Sequence, residues 1–206
     1  RPEALAERTP LGVRLDGARP GDALILTKGI AIEGTALLAR EAADELRLVG
    51  MTPGDIDAGK AYIFEPGISV VKEAIAACKA VQVHAMHDPT EGGLATALYE
   101  MAAASGTGIS VLDERIRILP ATYRLCNAAG LDPMGLLASG ALLLAVADGD
   151  ATKALEAIRS AGIPAGQIGT LLQQEDGVIM EGDIQPRPVP RFVRDEVARF
   201  LTERGA

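Results

Sequence analysis

The chain has 206 residues, 48% apolar and 23% charged, with a net charge of −8; this is the composition of one folded domain, or one domain with an appended segment, and not of a disordered chain. Aromatic residues make up only 3% and tryptophan is absent, so the core has to be built from Ala, Leu, Ile and Val. The acidic balance, with no Lys/Arg-rich run, argues against a nucleic-acid surface, and no apolar stretch reaches the roughly 18 residues that would argue for a membrane span.

In chain order, residues 1–20 carry charges with scattered Pro and Gly and read as an extended lead-in, closed by a turn at Arg19-Pro20-Gly21-Asp22. Ala23–Thr27 reads as a short buried strand. From Thr35 to Arg47 the apolar positions Leu37, Leu38, Ala42 and Leu46 fall on one face, predicting a single helix, with Glu33 and Gly34 at its opening. Met51–Lys60 is rich in polar residues, Gly and Pro, and reads as a link. A helix follows through Val70–Ala80, then an alternating strand over Val81–His87. Leu94, Leu98, Met101 and Ala102 recur as on an amphipathic helix, with Gly106 as its stop. Gly108–Leu112 reads as a strand and Ala121–Ala129 as a short helix.

The last third reads as strand, turn, helix, Gly stop and strand. Ala141–Ala147 is the longest apolar run, Asp148 or Asp150 caps the helix, and Gly162 ends it. Gly177–Asp183 is a further strand, its segment Gly177–Met180 able to pair with Gln167–Leu171 as a hairpin, and Arg191–Glu203 is a terminal helix. Strands and helices alternate, but the short paired segments favour an α+β domain with a mixed sheet over a purely parallel design. Cys78 and Cys126 lie in Ala-rich helical stretches without a CxxC pair, which predicts two reduced, buried thiols in a cytoplasmic protein.

The most informative segment is Met86–Leu94. It follows a strand and opens a helix, with Asp88 as N-cap, Pro89 at the first helical position and Glu91 closing a capping box. Gly92 and Gly93 then fall inside the helix, where each costs about 1 kcal/mol relative to Ala. Such a cost implies that something approaches the backbone closely, either a ligand or a neighbouring segment of the chain. A helix N-terminus attracts anions, but Asp88 and Glu91 would repel a bare phosphate, so a phosphate there would need a cation such as Mg²⁺ between the charges. His84 and His87 lie three apart on a strand, face opposite sides, and are poorly placed to share a metal.

HDPTEGGL, at residues 87–94, resembles the D-P-T-x-G-G-L segment of the hydrogenase-maturation HypE branch and the related Gly-rich turn of the AIR synthase-related (PurM-like) family. Asn127–Val146 resembles the stretch in which Gly-Leu-Asp-Pro precedes a Gly turn and a buried strand. Gly21–Glu41 resembles the start of the family's C-terminal domain, and Ile158–Leu171 its closing helix–strand unit, with Ile168-Gly169 as the recurrent pair. The resemblance runs in consistent order from Pro20 to Gly182.

This resemblance implies a layered α/β/α fold of the PurM C-terminal type over residues 21–206. It implies a preceding domain, absent from this chain, that supplies an Asp-rich metal and ATP-phosphate site and forms a homodimer. The activity implied for such a whole protein is ATP-dependent activation of an amide- or carbamoyl-type oxygen by phosphorylation, with ATP and Mg²⁺ as cofactors, a small-molecule substrate, and a maturation-protein partner. On this reading Lys28, His87, Asp88, Thr90, Gly92, Gly93, Ser139 and Gly140 line the nucleotide cleft from the C-terminal side, no metal is held by this domain itself, and this chain alone binds no nucleotide tightly. Two departures stand out. The tail reads Leu-Thr-Glu-Arg-Gly-Ala without the terminal Cys of the HypE branch. Where that branch carries Asn-Glu-Gly-Lys, the run Ala138-Ser139-Gly140-Ala141 puts Ser139 in place of a carboxylate. They keep open the alternative of a non-catalytic interaction module in a metalloenzyme-maturation assembly. A stand-alone domain whose Gly-Gly turn serves packing is a third reading.

Overall fold

The computed structural model describes residues 15–182 and 185–204, so positions 1–14 of the lead-in lie outside the described residues. Among the described residues seven strands form one sheet: β1 (Asp22–Thr27), β2 (Val83–His87), β3 (Gly108–Leu112), β4 (Leu143–Ala147), β5 (Ala165–Leu172), β6 (Val178–Glu181) and β7 (Arg187–Pro188), in the order β2-β4-β1-β5-β3-β6-β7. Neighbours run antiparallel except β3 and β6, which are parallel. The helices are α1 (Ile32–Glu41), α2 (Ala43–Leu48), α3 (Pro53–Ala61), α4 (Val71–Ala80), α5 (Gly93–Ser105), α6 (Pro120–Ala129), α7 (Ala151–Ser160) and α8 (Glu196–Arg204).

The period-2 alternation of β1 sorts the core into two halves. Leu24 and Leu26 join a large cluster with Leu38, Leu46, Leu94, Leu98, Met101 and Leu125, drawn from α1, α2, α5 and α6. Ala23 and Ile25 point the other way, into a smaller cluster with Ala74, Ala77, Ala154 and Ile158 of α4 and α7. Helices therefore cover both faces of a mixed sheet, the α/β/α layering expected of this α+β chain. Each fully buried Leu or Ile in these layers contributes about 1.5–3 kcal/mol, which is how a chain so poor in aromatics holds its core.

Four local expectations give way. The helix expected over Thr35–Arg47 breaks at Ala42 (φ −127°, ψ 34°) into α1 and α2; the break lets Leu38 and Leu46, both fully buried, face one core. The link expected at Met51–Lys60 is largely α3, whose N-cap Thr52 accepts a hydrogen bond from the Asp55 N–H at 3.2 Å. β5 and β6 do not form a hairpin, because β3 lies between them and pairs with both. The terminal helix begins at Glu196, five residues later than expected. Cys126 is buried and Cys78 half-buried, both as free thiols; burial pushes the Cys126 thiol up to about 12.

Candidate functional site

β4 runs antiparallel between β1 and β2, so β1 and β2 end at the same edge of the sheet, where Leu26 and His87 both pair with Leu143. The residues after those strands, and those that lead into β4, are thereby collected in one place. Lys28, Asp88 and the Ser139-Gly140 turn all lie at this edge.

Lys28 is not a solvated strand end. Its residue is 2% exposed and takes a left-handed backbone (φ 55°). Its ammonium donates to the Ser69 carbonyl at 2.7 Å and the Gly67 carbonyl at 3.3 Å, and pairs with Glu73 Oε1 at 2.9 Å. All three ammonium donors are thus committed. Thr27 Oγ1 donates to the same Glu73 oxygen at 3.4 Å and accepts from the Leu142 N–H at 3.0 Å. Glu73 Oε2 is buried without a hydrogen-bond partner. The pair ties the Gly67–Ser69 loop to the sheet edge. Gly140 packs on that loop, where a Cβ would stand 3.1 Å from the Gly67 carbonyl oxygen and 3.2 Å from Ile68 Cα.

Asp88 is exposed at the same edge. Partial burial of its carboxyl pushes its pKa up, with Glu33 and Glu73 adding to the rise and His87 and Lys28 opposing it. His87 turns toward α5 and bonds Glu100 Oε2 through Nε2 at 2.7 Å. His84 bonds Asp22 Oδ2 through Nδ1 at 2.8 Å. The two histidines have separate carboxylate partners.

The capping box expected at Asp88 does not form. Helix α5 starts at Gly93, its N-cap is Gly92, and no side chain caps it. Gly92 (φ 76°) and Gly93 (φ 67°) are both left-handed, a conformation open to Gly at little cost, and two such residues in succession cannot lie within a right-handed helix. Asp88, Pro89 and Thr90 therefore remain in the loop. At Gly93 the close neighbour is the chain itself: a Cβ would stand 2.3 Å from the Met134 carbonyl oxygen and 2.9 Å from that of Leu136. Packing alone accounts for this glycine. The Thr90 carbonyl accepts from the Gly93 N–H at 3.1 Å and from the Ala138 N–H at 3.2 Å, so it joins the Gly-Gly turn to the turn that holds Ser139.

At Gly92 the close neighbour is again the chain, since a Cβ would stand 2.2 Å from Thr96 Oγ1, but this residue also borders a hollow. Its N–H donates to Asp195 Oδ2 at 2.8 Å, while Asp195 Oδ1 accepts from the Val197 N–H at 2.8 Å. Beside it opens a hollow of about 580 Å³, walled by Leu37, Thr96, Leu137, Phe192 and Leu201 together with Glu91, Arg194 and Asp195. That volume lies within the usual range of small-molecule sites. The candidate residues thus fall into two groups joined through Thr90: Gly92 at the hollow with Gly93 packed on Met134 and Leu136, and Lys28, Asp88, Ser139 and Gly140 along the sheet edge. His87 ends β2 at that edge, with its ring bonded to Glu100.

Glu73, Asp195 and Glu196 were not singled out from the sequence. Glu73 had a legible cue, since it falls on the same helical stripe as the buried Ala77. Asp195 falls within the helix expected over Arg191–Glu203, and nothing in the sequence shows that one of its oxygens reaches Gly92.

Residues 19–181 match the family described as AIR synthase related protein, C-terminal domain. The chain is 33% identical over 190 residues to a Methanocaldococcus jannaschii protein named as a hydrogenase expression/formation protein, covering 91% of this chain and 53% of that one. It is 33% identical over 172 residues to the carbamoyl dehydratase HypE of Cupriavidus necator, covering 82% of this chain and 45% of that one. The chain thus spans about half the length of these curated relatives. The crystal structure of Escherichia coli HypE shares the fold, with a TM-score of 0.73 at 23% identity over 91% of this chain and 55% of that one. So do HypE in complex with ATP (TM-score 0.65, 24% identity, 90% and 55% covered) and a HypE–HypF complex (TM-score 0.66, 25% identity, 87% and 56% covered).

Proposed function

The chain belongs to the AIR synthase-related C-terminal domain family, and from that premise we propose that residues 21–206 are one half of an ATP-dependent enzyme of the HypE type. The whole protein would activate an amide- or carbamoyl-type oxygen by phosphorylation in the cytoplasm, as a homodimer, with a preceding domain contributing most of the nucleotide and metal site. The observation that carries this reading is the ligand-sized hollow beside Gly92, opening next to the edge at which β1 and β2 both end.

The fit to ATP and Mg²⁺ is that of a half-site. Asp88 is exposed there and suits a hydrated Mg²⁺, which takes one or two carboxylates and keeps its waters. Thr90 and Ser139 offer hydroxyls from the two joined turns. In this structure Lys28 and the Gly92 N–H are already engaged by the chain's own Glu73 and Asp195. Residues 1–206 alone are therefore expected to bind ATP weakly, and calorimetry giving micromolar affinity for this chain would contradict the half-site reading. The protein carrying its preceding domain is expected to hydrolyse ATP when offered carbamoyl or formyl-amide substrates.

The engaged state of Lys28 and Gly92 also favours a second reading, a non-catalytic module that docks with a maturation partner, as the HypE–HypF complex suggests for relatives. A folded dimer of the longer protein that turns over none of these substrates would support the module.

A further inference from the structure

We propose that the recess between the end of β1 and the start of β5 is an oxyanion subsite that seats one phosphate-sized, doubly charged group, such as the terminus of a phosphomonoester, on Arg115 and Arg117. This does not depend on the nucleotide reading above.

Arg115 and Arg117 are exposed, and their guanidiniums have no acidic or hydrogen-bonding partner among the described residues, whereas Arg47, Arg124, Arg187 and Arg199 each pair with a carboxylate. In a chain of net charge −8, these two uncommitted guanidiniums border one recess. They flank the buried Ile116: Arg115 closes a single 3-10 turn, Asp113–Arg115, Arg117 lies two residues beyond it, and both border the same recess. The segment is held in place: the Ile30 N–H donates to the Arg117 carbonyl at 3.1 Å, and Ile30 bridges to Ile118.

The recess measures about 230 Å³ and is bounded by both arginines, Leu26, Gly29, Pro164 and Gly166. That is smaller than the roughly 300 Å³ at which complete small-molecule sites begin, so it suits a terminal group and not a whole ligand. Gly166 is the second, independent sign. It lies in β5 opposite Leu26, a Cβ built on it meets nothing within 4 Å, and its backbone is not left-handed. Neither conformation nor packing calls for a glycine there, although a strand glycine costs roughly 0.5–1 kcal/mol relative to Ala. The room it leaves is room in the recess.

The nearby backbone amides are already used, since the Lys28 N–H bonds the Pro164 carbonyl at 2.7 Å. Recognition therefore falls to the guanidinium forks, whose geometry matches phosphate oxygens. A third cation stands at the rim, where Arg159 donates twice to the Ala165 carbonyl, at 3.0 and 2.7 Å. Of the acids on the preceding turn, Asp113 is engaged by Arg187 at 3.3 Å and Glu114 is exposed.

The test is an NMR titration of the ¹⁵N-labelled chain with inorganic phosphate at constant ionic strength. Saturable shifts are expected at the amides of Gly29 and Gly166. The double variant Arg115→Ala/Arg117→Ala should weaken binding by roughly tenfold or more. Gly166→Val should also weaken it, because a branched side chain on a residue that borders the recess takes part of its space while both arginines remain; a Cβ there meets no neighbour within 4 Å. Shifts that never saturate, that saturate elsewhere, or that persist unchanged in Gly166→Val would overturn the proposal. The wild-type shift map and Gly166→Val decide the matter even if the double alanine variant fails to fold.

Discussion

At the scale of single residues the Lys28–Glu73 pair is the most consequential feature of the sheet edge. Taking two charges out of water costs more than their attraction returns unless further hydrogen bonds satisfy them. Here the Gly67 and Ser69 carbonyls satisfy Lys28 and Thr27 Oγ1 bonds one Glu73 oxygen, while Glu73 Oε2 is left without a partner. Lys28→Met alone should destabilise the chain by about 3–5 kcal/mol, because it strands a buried carboxylate, whereas Lys28→Met/Glu73→Leu should recover most of that loss. Urea melts of the three proteins check this, and additive losses would mean the pair is not a unit. Asp88 makes the opposite case. Its raised pKa means that the folded state holds its proton more tightly than the unfolded state does. The cost of the charged form therefore appears as pH rises from the ordinary carboxylate range through the raised value, and persists above it. Asp88→Asn should raise the melting temperature at neutral pH, and the gain should vanish in acid below the carboxylate range. A gain that is the same at every pH would show that the charge is not its source.

Among the elements, α8 is held to the domain by its first turn. Glu196 accepts from the Asp132 N–H at 3.0 Å and from Arg199 at 2.6 and 2.8 Å, and Arg199 donates onward to the Gly130 carbonyl at 2.8 Å. Burial alone would raise the Glu196 pKa, but the bonds from Arg199 and Asp132 outweigh it and leave the carboxyl below its usual range. Its contribution is thus complete above the unfolded carboxylate pKa and is lost as pH falls through the depressed folded value. Glu196→Ala should cost about 1.5–3 kcal/mol and expose α8 to hydrogen exchange at neutral pH; unchanged protection of the α8 amides would refute the anchor. How far the elements could be read from sequence depends on what decided them. The strands β1, β2 and β4 and the helices α5 and α7 followed from apolar spacing, because burial against the sheet fixed them. α3 was hidden by Gly54 and Gly59, yet Gly59 is there so that α1 can approach, with Ala39 Cβ at 3.0 Å from where its Cβ would stand; Thr52-Pro53 and Asp55 were the legible start signal. At the site, the Gly-Gly turn was visible in the sequence. Its start of helix was misplaced because the left-handed pair, set by the approach of Met134–Leu136, overrode an otherwise well-formed capping sequence. The carboxylates that engage Lys28 and Gly92 come from distant parts of the chain, and local pattern carries no information about such meetings.

At the scale of the whole molecule, the fold is a three-layer α/β/α domain in which the candidate residues sit along, or are joined to, one edge of the sheet. The chain is about half the length of its curated relatives, and that edge is where the remainder of an enzyme would complete a site. The order of the sheet has a consequence for how the protein comes into being. β1 is the earliest strand in the described chain, yet it lies at the centre of the sheet, and both of its neighbours, β4 and β5, come from the last third of the sequence. Loop closure over such separations has to be achieved before the contacts reward it. On the ribosome, then, the first strand waits with its apolar face unclaimed until Leu172 has left the exit tunnel, and nascent chains stalled earlier should remain sensitive to protease. Protection appearing once only β4 has emerged would show that the pairing of β1 with β4 is self-sufficient. Synthesis thus ends with a nearly simultaneous closing of the sheet, and a domain encoded upstream would have finished folding before this one could begin.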